Sequence, residues 1–219
     1  MTIDLNTDEG RKQAYKDLMR KDHGFLRVKF SNIHDIGGGM FRANQPSPTH
    51  LKRWSDQGIK TILNLRGESP KGYYLLEKEA CEALGLTLIN YRMYSRDVHT
   101  KDKILGARDL FETIAYPCVM HCKSGADRTG IMSTLYRHFK MGDPIEQATQ
   151  QLSLRYLHMK SGKTGMLDHF FQTYLDYNAQ TPMSFSDWVS GPYDPETVKA
   201  NFYSKWWGRV LTEGLFKRE

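Results

Sequence analysis

The sequence predicts an α/β fold in which a largely parallel central sheet is flanked by helices, with an extra helical segment at the C-terminal end. Short apolar runs rich in β-branched residues alternate with amphipathic stretches of about ten residues or more. Glycines and prolines separate these runs at the expected helix and strand ends. The length of 219 residues, with 39% hydrophobic and 26% charged residues, is typical of a chain that buries a sizeable core.

The first part of the chain opens the alternation of strands and helices. Three consecutive glycines from Gly37 to Gly39 indicate a turn between two short strands. Pro48 is a good helix starter, and Gly58 marks the end of that helix before an apolar, β-branched strand. The predicted elements are a helix over 8–23, strands over 25–30 and 40–45, a helix over 49–57 and a strand over 59–65.

The second part continues the same pattern. Gly85 ends its first helix, and Asp143 with Pro144 indicates an N-cap and first turn of a later one. The carboxyl ends of parallel strands meet at one edge of a sheet, so we expect any ligand to bind there. The predicted elements are a helix over 74–84, strands over 87–91 and 118–121, and helices over 103–115, 128–139, 144–157 and 166–178.

The composition changes after Thr181 and Pro182, which predicts a main domain over 1–180 and an extension over 181–219. A helix is expected from Asp194 onward because Pro195 follows at its first position. Aromatic and basic side chains alternate along it, so it either packs on the core or lies at an anionic membrane interface. Its apolar residues are Val198, Phe202, Trp206 and Val210, and the interleaved ones are Lys199, Tyr203, Lys205, Trp207 and Arg209.

The net charge and the number of cysteines indicate which kinds of partner and which cellular compartment to expect. Lysine and arginine outnumber aspartate and glutamate by 31 to 25, which suits an anionic substrate or surface; we expect no nucleic acid partner. An odd number of cysteines, three, indicates a reducing compartment. The first residues lack a signal peptide, and no apolar run reaches the roughly 18 residues that span a bilayer. We therefore expect a cytoplasmic protein, with a peripheral position on the inner face of a membrane left open.

The segment 121–130, His-Cys-Lys-Ser-Gly-Ala-Asp-Arg-Thr-Gly, carries the chemistry. Successive backbone N–H groups between a strand and a helix form a concave anion site, which the helix N-terminus reinforces. The same field favours a thiolate at Cys122, and Arg128 offers a planar fork for two phosphoryl oxygens. Gly125 permits a tight turn, and the Thr129 hydroxyl is placed to donate to the sulfur. The predicted phosphate-binding residues are Lys123, Ser124, Gly125, Ala126, Asp127 and Arg128.

This segment resembles the active-site signature His-Cys-x-x-Gly-x-x-Arg-Ser/Thr of the cysteine-dependent protein tyrosine phosphatase superfamily, and the short chain resembles its dual-specificity branch. Residues 41–47 and 62–68 are similar to the first strands of bacterial dual-specificity-like phosphatases, and the resemblance covers roughly 25–160. It implies a phosphatase domain in which Cys122 forms a phosphocysteine and Arg128 binds phosphate, with neither metal nor another cofactor. The supporting residues are His121, which we expect to be buried and to orient the loop, and Thr129.

The resemblance also implies a general acid on a loop that precedes the nucleophile. Asp97 stands 25 positions before Cys122, after a predicted strand, and is the candidate for this role. Asp102 is closer to Cys122 in the sequence, and we interpret it as the N-cap of the next helix. Asp127 is a third option, because similar Asp-Arg-Thr loops occur in myotubularin-like lipid phosphatases; in the alternative interpretation it hydrogen-bonds backbone or orients Arg128.

The expected function is hydrolysis of phosphotyrosine, phosphoserine or phosphothreonine in a phosphoprotein. Lys123 adds positive charge at the mouth of the site, which keeps open a lipid substrate such as phosphatidylglycerol phosphate or a phosphoinositide. The partner is then a phosphorylated protein or a phospholipid. A pseudophosphatase is disfavoured because Cys122 and Arg128 are both present, and a sulfurtransferase is disfavoured because Arg128, Thr129 and Gly130 open the following helix.

Overall fold

A computed structural model describes residues 3–27 and 30–216, with side chains through Trp206. The chain divides into two compact units. The first unit comprises Met1–Met93 and Thr113–Thr129, and the second comprises Tyr94–Glu112 and Gly130–Glu219. The division at residue 180 indicated by composition stays a prediction.

The first unit holds a five-stranded sheet. Its strands are β1 (His34–Asp35), β2 (Met40–Ala43), β3 (Thr61–Asn64), β4 (Thr87–Asn90) and β5 (Cys118–His121). The order across the sheet is β1-β2-β5-β3-β4, and all neighbours are parallel except β1 and β2. The predicted α/β class with a largely parallel sheet is therefore confirmed, with one short antiparallel strand at its edge.

Helices cover this sheet within the same unit. They are α1 (Asp8–Lys16), a π-helical turn (Asp17–Lys21), α2 (Gly24–Arg27), α3 (Pro48–Asp56) and α4 (Gly72–Leu84). Ser47 caps α3 by accepting from the His50 N–H, and Gly85 ends α4 in the left-handed conformation. Leu51 and Trp54 of α3 and Cys81 of α4 pack against strand residues in one buried cluster. Burial of these apolar faces holds the helices on the sheet and so fixes the positions of the strand ends.

The second unit is helical in its described part. Its α-helices are α5 (Lys101–Thr113), most of α6 (Asp127–Phe139), α7 (Ile145–Ala148), α8 (Met166–Gln180), α9 (Phe185–Ser190) and α10 (Pro195–Phe216). Phe170, Phe185, Trp188 and Tyr193 form a buried aromatic cluster. None of the helices in the described ranges is long and apolar enough to cross a bilayer.

The aromatic face of α10 lies partly within this unit. Val198 and Phe202 are each 3% exposed, and the Phe202 ring lies 5.8 Å from the ring of His169 on α8. The described part of α10 therefore packs on its neighbouring helix. The side chains of Trp207, Arg209 and Val210, which the sequence places in the same pattern, lie outside the described side chains.

Three local predictions are wrong. The strand expected over 25–30 begins as α2, and Val28 and Lys29 lie outside the described residues. Asp143 does not cap a helix extending to 157: Arg137 binds its carboxylate, and the four-residue α7 is followed by separate 3-10 turns over Thr149–Gln151 and Leu154–Tyr156. Asp102 lies in the first turn of α5, where the Thr100 hydroxyl accepts from the Lys103 N–H instead.

Candidate active site

The candidate site is the loop between β5 and α6, at the carboxyl edge of the sheet. β5 is wholly buried between β2 and β3, so its last residue, His121, is fixed by ladders on both sides. The Leu65 N–H donates to the His121 carbonyl at 2.9 Å, and the Gln45 N–H donates to the Lys123 carbonyl at 3.3 Å. The loops that follow β2 and β3 therefore hold the start of the Cys122 loop from either side.

The pKa of Cys122 distinguishes it from the other two cysteines. All three side chains are buried. Burial raises the pKa of Cys118 to about 12, and burial with the nearby charges of Glu77 and Glu82 raises that of Cys81 to about 12. Burial also opposes ionisation of Cys122, but the Arg128 charge and hydrogen bonds from Thr129 and Gly125 together hold its pKa below the ordinary value. The Gly125 N–H lies 3.3 Å from the sulfur. Cys122 is therefore the thiol that the surroundings stabilise as a thiolate.

Three carbonyl groups of the loop accept hydrogen bonds from side chains of other segments. The buried Arg42 guanidinium donates to the Gly125 carbonyl at 2.8 Å and to the Ala126 carbonyl at 3.2 Å. The Asn32 amide donates to the Ser124 carbonyl at 3.0 Å. These bonds, with the contact of the Gly125 N–H to the sulfur, fix the backbone of a loop that leads into the first turn of α6, the kind of place where N–H groups bind a tetrahedral anion.

Gly125 is required by the shape of this loop. Its φ is +74°, and a Cβ built on it would lie 2.8 Å from the Ala43 carbonyl oxygen. A side chain at this position meets both left-handed backbone strain and a backbone neighbour that cannot rotate away.

We expect Gly125→Ala to lower activity by about 100-fold, because the alanine displaces the N–H groups that hold the anion. Phosphate release from an aryl phosphate measures the rate, and vanadate inhibition measures the anion site. Gly85→Ala is the matched control, since Gly85 has a φ of +68° with no atom within 4 Å of the added Cβ. Wild-type vanadate affinity in the Gly125→Ala protein would contradict this account of the loop.

His121 lies at the base of the loop in a buried polar contact. Its Nε2 is 2.5 Å from Glu77 Oε1, and both side chains are fully buried. The Gln45 amide donates to the other Glu77 oxygen at 3.1 Å. This chain of contacts joins α4 and Gln45, the second residue after β2, to the end of β5, and the role of His121 in orienting the loop stays a prediction.

A buried carboxylate, Asp22, organises cations beside the loop. Its oxygens accept from Arg27 at 2.6 Å and from Arg66 at 2.7 and 2.9 Å, and Lys123 Nζ lies 4.0 Å away. Lys123 Nζ also lies 3.3 Å from His23 Nδ1, and its side chain is 40% exposed. Three basic side chains therefore lie around one carboxylate, and of these Lys123 is the exposed one beside the loop.

The sequence analysis missed most of this cluster. Asp22 and His23 end the predicted polar helix and Arg27 lies in the predicted strand over 25–30. None of the three has a spacing relation to the signature, so no local pattern indicates them. The sequence indicates Arg66 only weakly: it is the second residue after β3, at the ligand-binding edge of the sheet.

The three candidate acids lie in different places. Asp127 is the first residue of α6, in the first unit with Cys122. Asp97 lies in the second unit, in the loop before α5, where its Oδ1 accepts from Lys199 Nζ at 2.9 Å and from the Val98 N–H at 3.0 Å. Asp102 is exposed on α5. Among the described residues, no group of three histidine, cysteine or acidic side chains could hold a metal ion.

Comparison with known proteins agrees with this architecture. A family model described as "DSP-PTPase phosphatase fused to NAD+ Kinase" matches residues 33–168, which include all five strands and the Cys122 loop. The chain is 23% identical over 181 residues to "Inositol diphosphatase DSP4" of Arabidopsis thaliana, covering 80% of this chain and 87% of the relative.

Solved structures share the fold at low identity. Similar chains include TpbA of P. aeruginosa, with 13% identity, a TM-score of 0.50, and coverage of 78% of this chain and 90% of that one. They also include the core catalytic domain of the PP-IP phosphatase SIW14 of S. cerevisiae, with 16% identity, a TM-score of 0.53, and coverage of 70% and 96%.

Proposed function

Because the chain belongs to the DSP-PTPase family and is a cysteine-dependent phosphatase of the dual-specificity type, we propose that Cys122 is its nucleophile. The Cys122 thiolate attacks the phosphorus of a phosphomonoester, an S–P bond forms, and the bond from phosphorus to the leaving oxygen breaks. Arg128 and the loop N–H groups hold the phosphoryl oxygens while charge gathers on them. The observation that carries this assignment is the place of the Cys122 sulfur in the loop between β5 and α6, 3.3 Å from the Gly125 N–H, and the lowered pKa agrees with it.

Asp97 completes the proposed reaction. It donates a proton to the leaving oxygen in the first step, which releases an alcohol or phenol. In the second step the Asp97 carboxylate takes a proton from a water molecule, the water oxygen attacks phosphorus, and the S–P bond breaks. Inorganic phosphate leaves and the Cys122 thiolate is restored.

We expect Asp97→Asn to slow hydrolysis of alkyl phosphates by about 100-fold, because an amide cannot protonate a poor leaving group. An activated aryl phosphate, whose phenolate leaves without a proton, should be hydrolysed at a rate within about tenfold of the wild type. Steady-state rates on both substrates test this difference.

Two variants serve as comparisons for Asp97→Asn. Asp102→Asn changes an exposed carboxylate of α5 and should leave both rates unchanged. Asp127→Asn should have a milder effect than Asp97→Asn. If the loss on alkyl phosphates follows Asp127→Asn instead, the acid is the residue of the loop itself.

The proposed substrate is a phosphoprotein. The segment before β1 displays Phe25, Leu26 and Phe30, which are each more than half exposed. Asn44 donates to the Phe30 carbonyl and Asn32 donates to the Ser124 carbonyl, so hydrogen bonds connect this segment with the catalytic loop. Exposed apolar side chains beside a phosphate site suit the flanking residues of a polypeptide. This surface is the observation that supports a protein substrate.

A second candidate substrate carries a further anionic group next to the scissile phosphate, as an inositol phosphate or a phospholipid headgroup does. Lys123 with His23 provides an exposed basic position beside the loop, and the curated relative in Arabidopsis is named for inositol diphosphatase activity.

A phosphate-release panel separates the two substrates. It compares phosphotyrosine, phosphoserine and phosphothreonine peptides with inositol polyphosphates, phosphoinositides and phosphatidylglycerol phosphate in vesicles. A protein substrate predicts the highest kcat/KM on peptides and a loss for Phe25→Ser on peptides alone. Highest kcat/KM on the inositol or lipid compounds, lowered by Lys123→Met, would support the second candidate.

A further inference from the structure

The loop that carries Asp97 is closed on itself. The Tyr94 N–H donates to His99 Nε2 at 2.9 Å, so the two ends of the six-residue loop 94–99 are joined. Burial lowers the pKa of His99 to about 4, which keeps its imidazole neutral and able to accept at neutral pH. Arg96 and Asp97 lie at the centre of this closed loop.

The C-terminal part of the chain binds the end of this loop at His99 and Lys101 just beyond it. The buried Tyr193 hydroxyl donates to the His99 carbonyl at 2.7 Å, and burial raises the pKa of Tyr193, so the phenol stays a donor. Lys101 Nζ, just beyond the loop, donates to the carbonyls of Ser190 and Gly191 at 3.1 and 2.8 Å. The segment between α9 and α10 is thus attached to the backbone of the loop.

α10 contacts the centre of the loop. Lys199 Nζ lies 2.9 Å from Asp97 Oδ1, and the Tyr203 hydroxyl donates to the Arg96 carbonyl at 3.4 Å. The hydrogen bond to Asp97 raises the pKa of Lys199, so the ammonium stays charged. The Val98 N–H donates to the same Asp97 oxygen at 3.0 Å, which leaves Oδ2 as the oxygen that neither group binds in this contact.

Lys199 itself stands on a fixed part of α10. Val198 precedes it and Phe202 follows one turn later, and both are buried against the second unit. The Lys199 and Asp97 side chains are 35% and 45% exposed, and such solvent-screened pairs contribute little to folding stability. The pair therefore adds little to the stability of the fold.

We propose that Lys199 is a positioning residue for Asp97: it holds one carboxyl oxygen and so fixes the orientation of the acid, and the C-terminal segment thereby takes part in turnover. This inference rests on the proposed role of Asp97 as general acid. It assigns a function to a helix that lies beyond residues 33–168, the part that the family model matches.

The test compares rates on two substrates, because loss of proton transfer depends on the leaving group and a structural defect does not. We expect Lys199→Met to slow alkyl phosphate hydrolysis by roughly tenfold and activated aryl phosphate hydrolysis by less than about twofold. Lys199→Arg restores the cation and should recover most of the alkyl phosphate rate. Lys205→Met is the matched control on the same helix and should leave both rates unchanged.

A double variant tests whether the two residues act together. Once Asp97→Asn has removed the acid, Lys199→Met should add no further loss on alkyl phosphates. Equal slowing of both substrates by Lys199→Met, or no slowing of either, would overturn the positioning role while leaving the Asp97 assignment intact. If Asp97→Asn itself shows no leaving-group dependence, the acid assignment fails first, and the positioning role fails with it.

Discussion

Cys122→Ser is expected to reduce turnover by about 10⁴-fold or more, the scale seen when a covalent nucleophile is removed. The surroundings of Cys122 are arranged to stabilise a thiolate, and a serine hydroxyl does not ionise at the same site. The loop N–H groups and Arg128 are unchanged, so the variant should still bind vanadate. Single-turnover phosphate release measures the first effect, and competition with vanadate in a substrate-trapping assay measures the second.

The thiolate state of Cys122 also predicts the pH dependence of the wild-type rate. Because the Cys122 pKa is lowered, the thiolate is present at pH values where an ordinary thiol is still protonated. The acidic limb of kcat/KM should therefore lie below the free thiol pKa of about 8.5. Cys118→Ala, four residues upstream on β5, is the control, since burial raises the pKa of that thiol to about 12 and it takes no part in the chemistry. More than a tenth of the wild-type rate in Cys122→Ser would contradict the mechanism.

Arg128→Lys has the second largest expected effect, a loss of about 10³-fold in kcat/KM. A lysine keeps the positive charge but replaces the planar fork with a single point of contact, so two phosphoryl oxygens are no longer held together. Arg137→Lys lies on the same helix, where the arginine binds Asp143, and is the matched control. Kinetics on an activated aryl phosphate suffice, because this loss does not depend on the leaving group.

Comparison of Arg128→Lys with Arg128→Ala separates charge from shape. Both variants lose the fork, but only Arg128→Ala removes the charge that most strongly favours the Cys122 thiolate. The acidic limb of the profile should therefore move to higher pH in Arg128→Ala and stay near its wild-type position in Arg128→Lys. A rate for Arg128→Lys within tenfold of the wild type would mean that charge alone is enough.

The sequence predicted correctly those features that depend on residues close together in the chain. Cys122, Gly125 and Arg128 lie within seven consecutive residues, and a strand and a helix start on either side define their geometry. The same reasoning failed for 25–30, where alternation favoured a strand but the described residues begin a helix. Apolar side chains such as Phe25 are exposed there, so the burial that period-two alternation presupposes is absent.

Contacts between distant parts of the chain were beyond that reasoning. Asp22 meets Arg66 across 44 positions, and Lys199 meets Asp97 across 102. No periodicity or spacing relates such pairs, since the tertiary fold alone brings them together. Asp97 itself was predicted by family resemblance and by its place after a strand, and its role stays a prediction.

The cluster of Asp22 with Arg27, Arg66 and Lys123 affects where a catalytic fragment of this chain can begin. The region shared with the family begins at residue 33, yet a fragment cut there would lack Asp22 and leave the Arg66 guanidinium, 9% exposed, without its counter-ion. It would also lose Asn32, which supports the Ser124 carbonyl, and Asp17, which accepts from the Gly72 N–H at the start of α4. A junction to another domain, natural or engineered, therefore belongs upstream of residue 17.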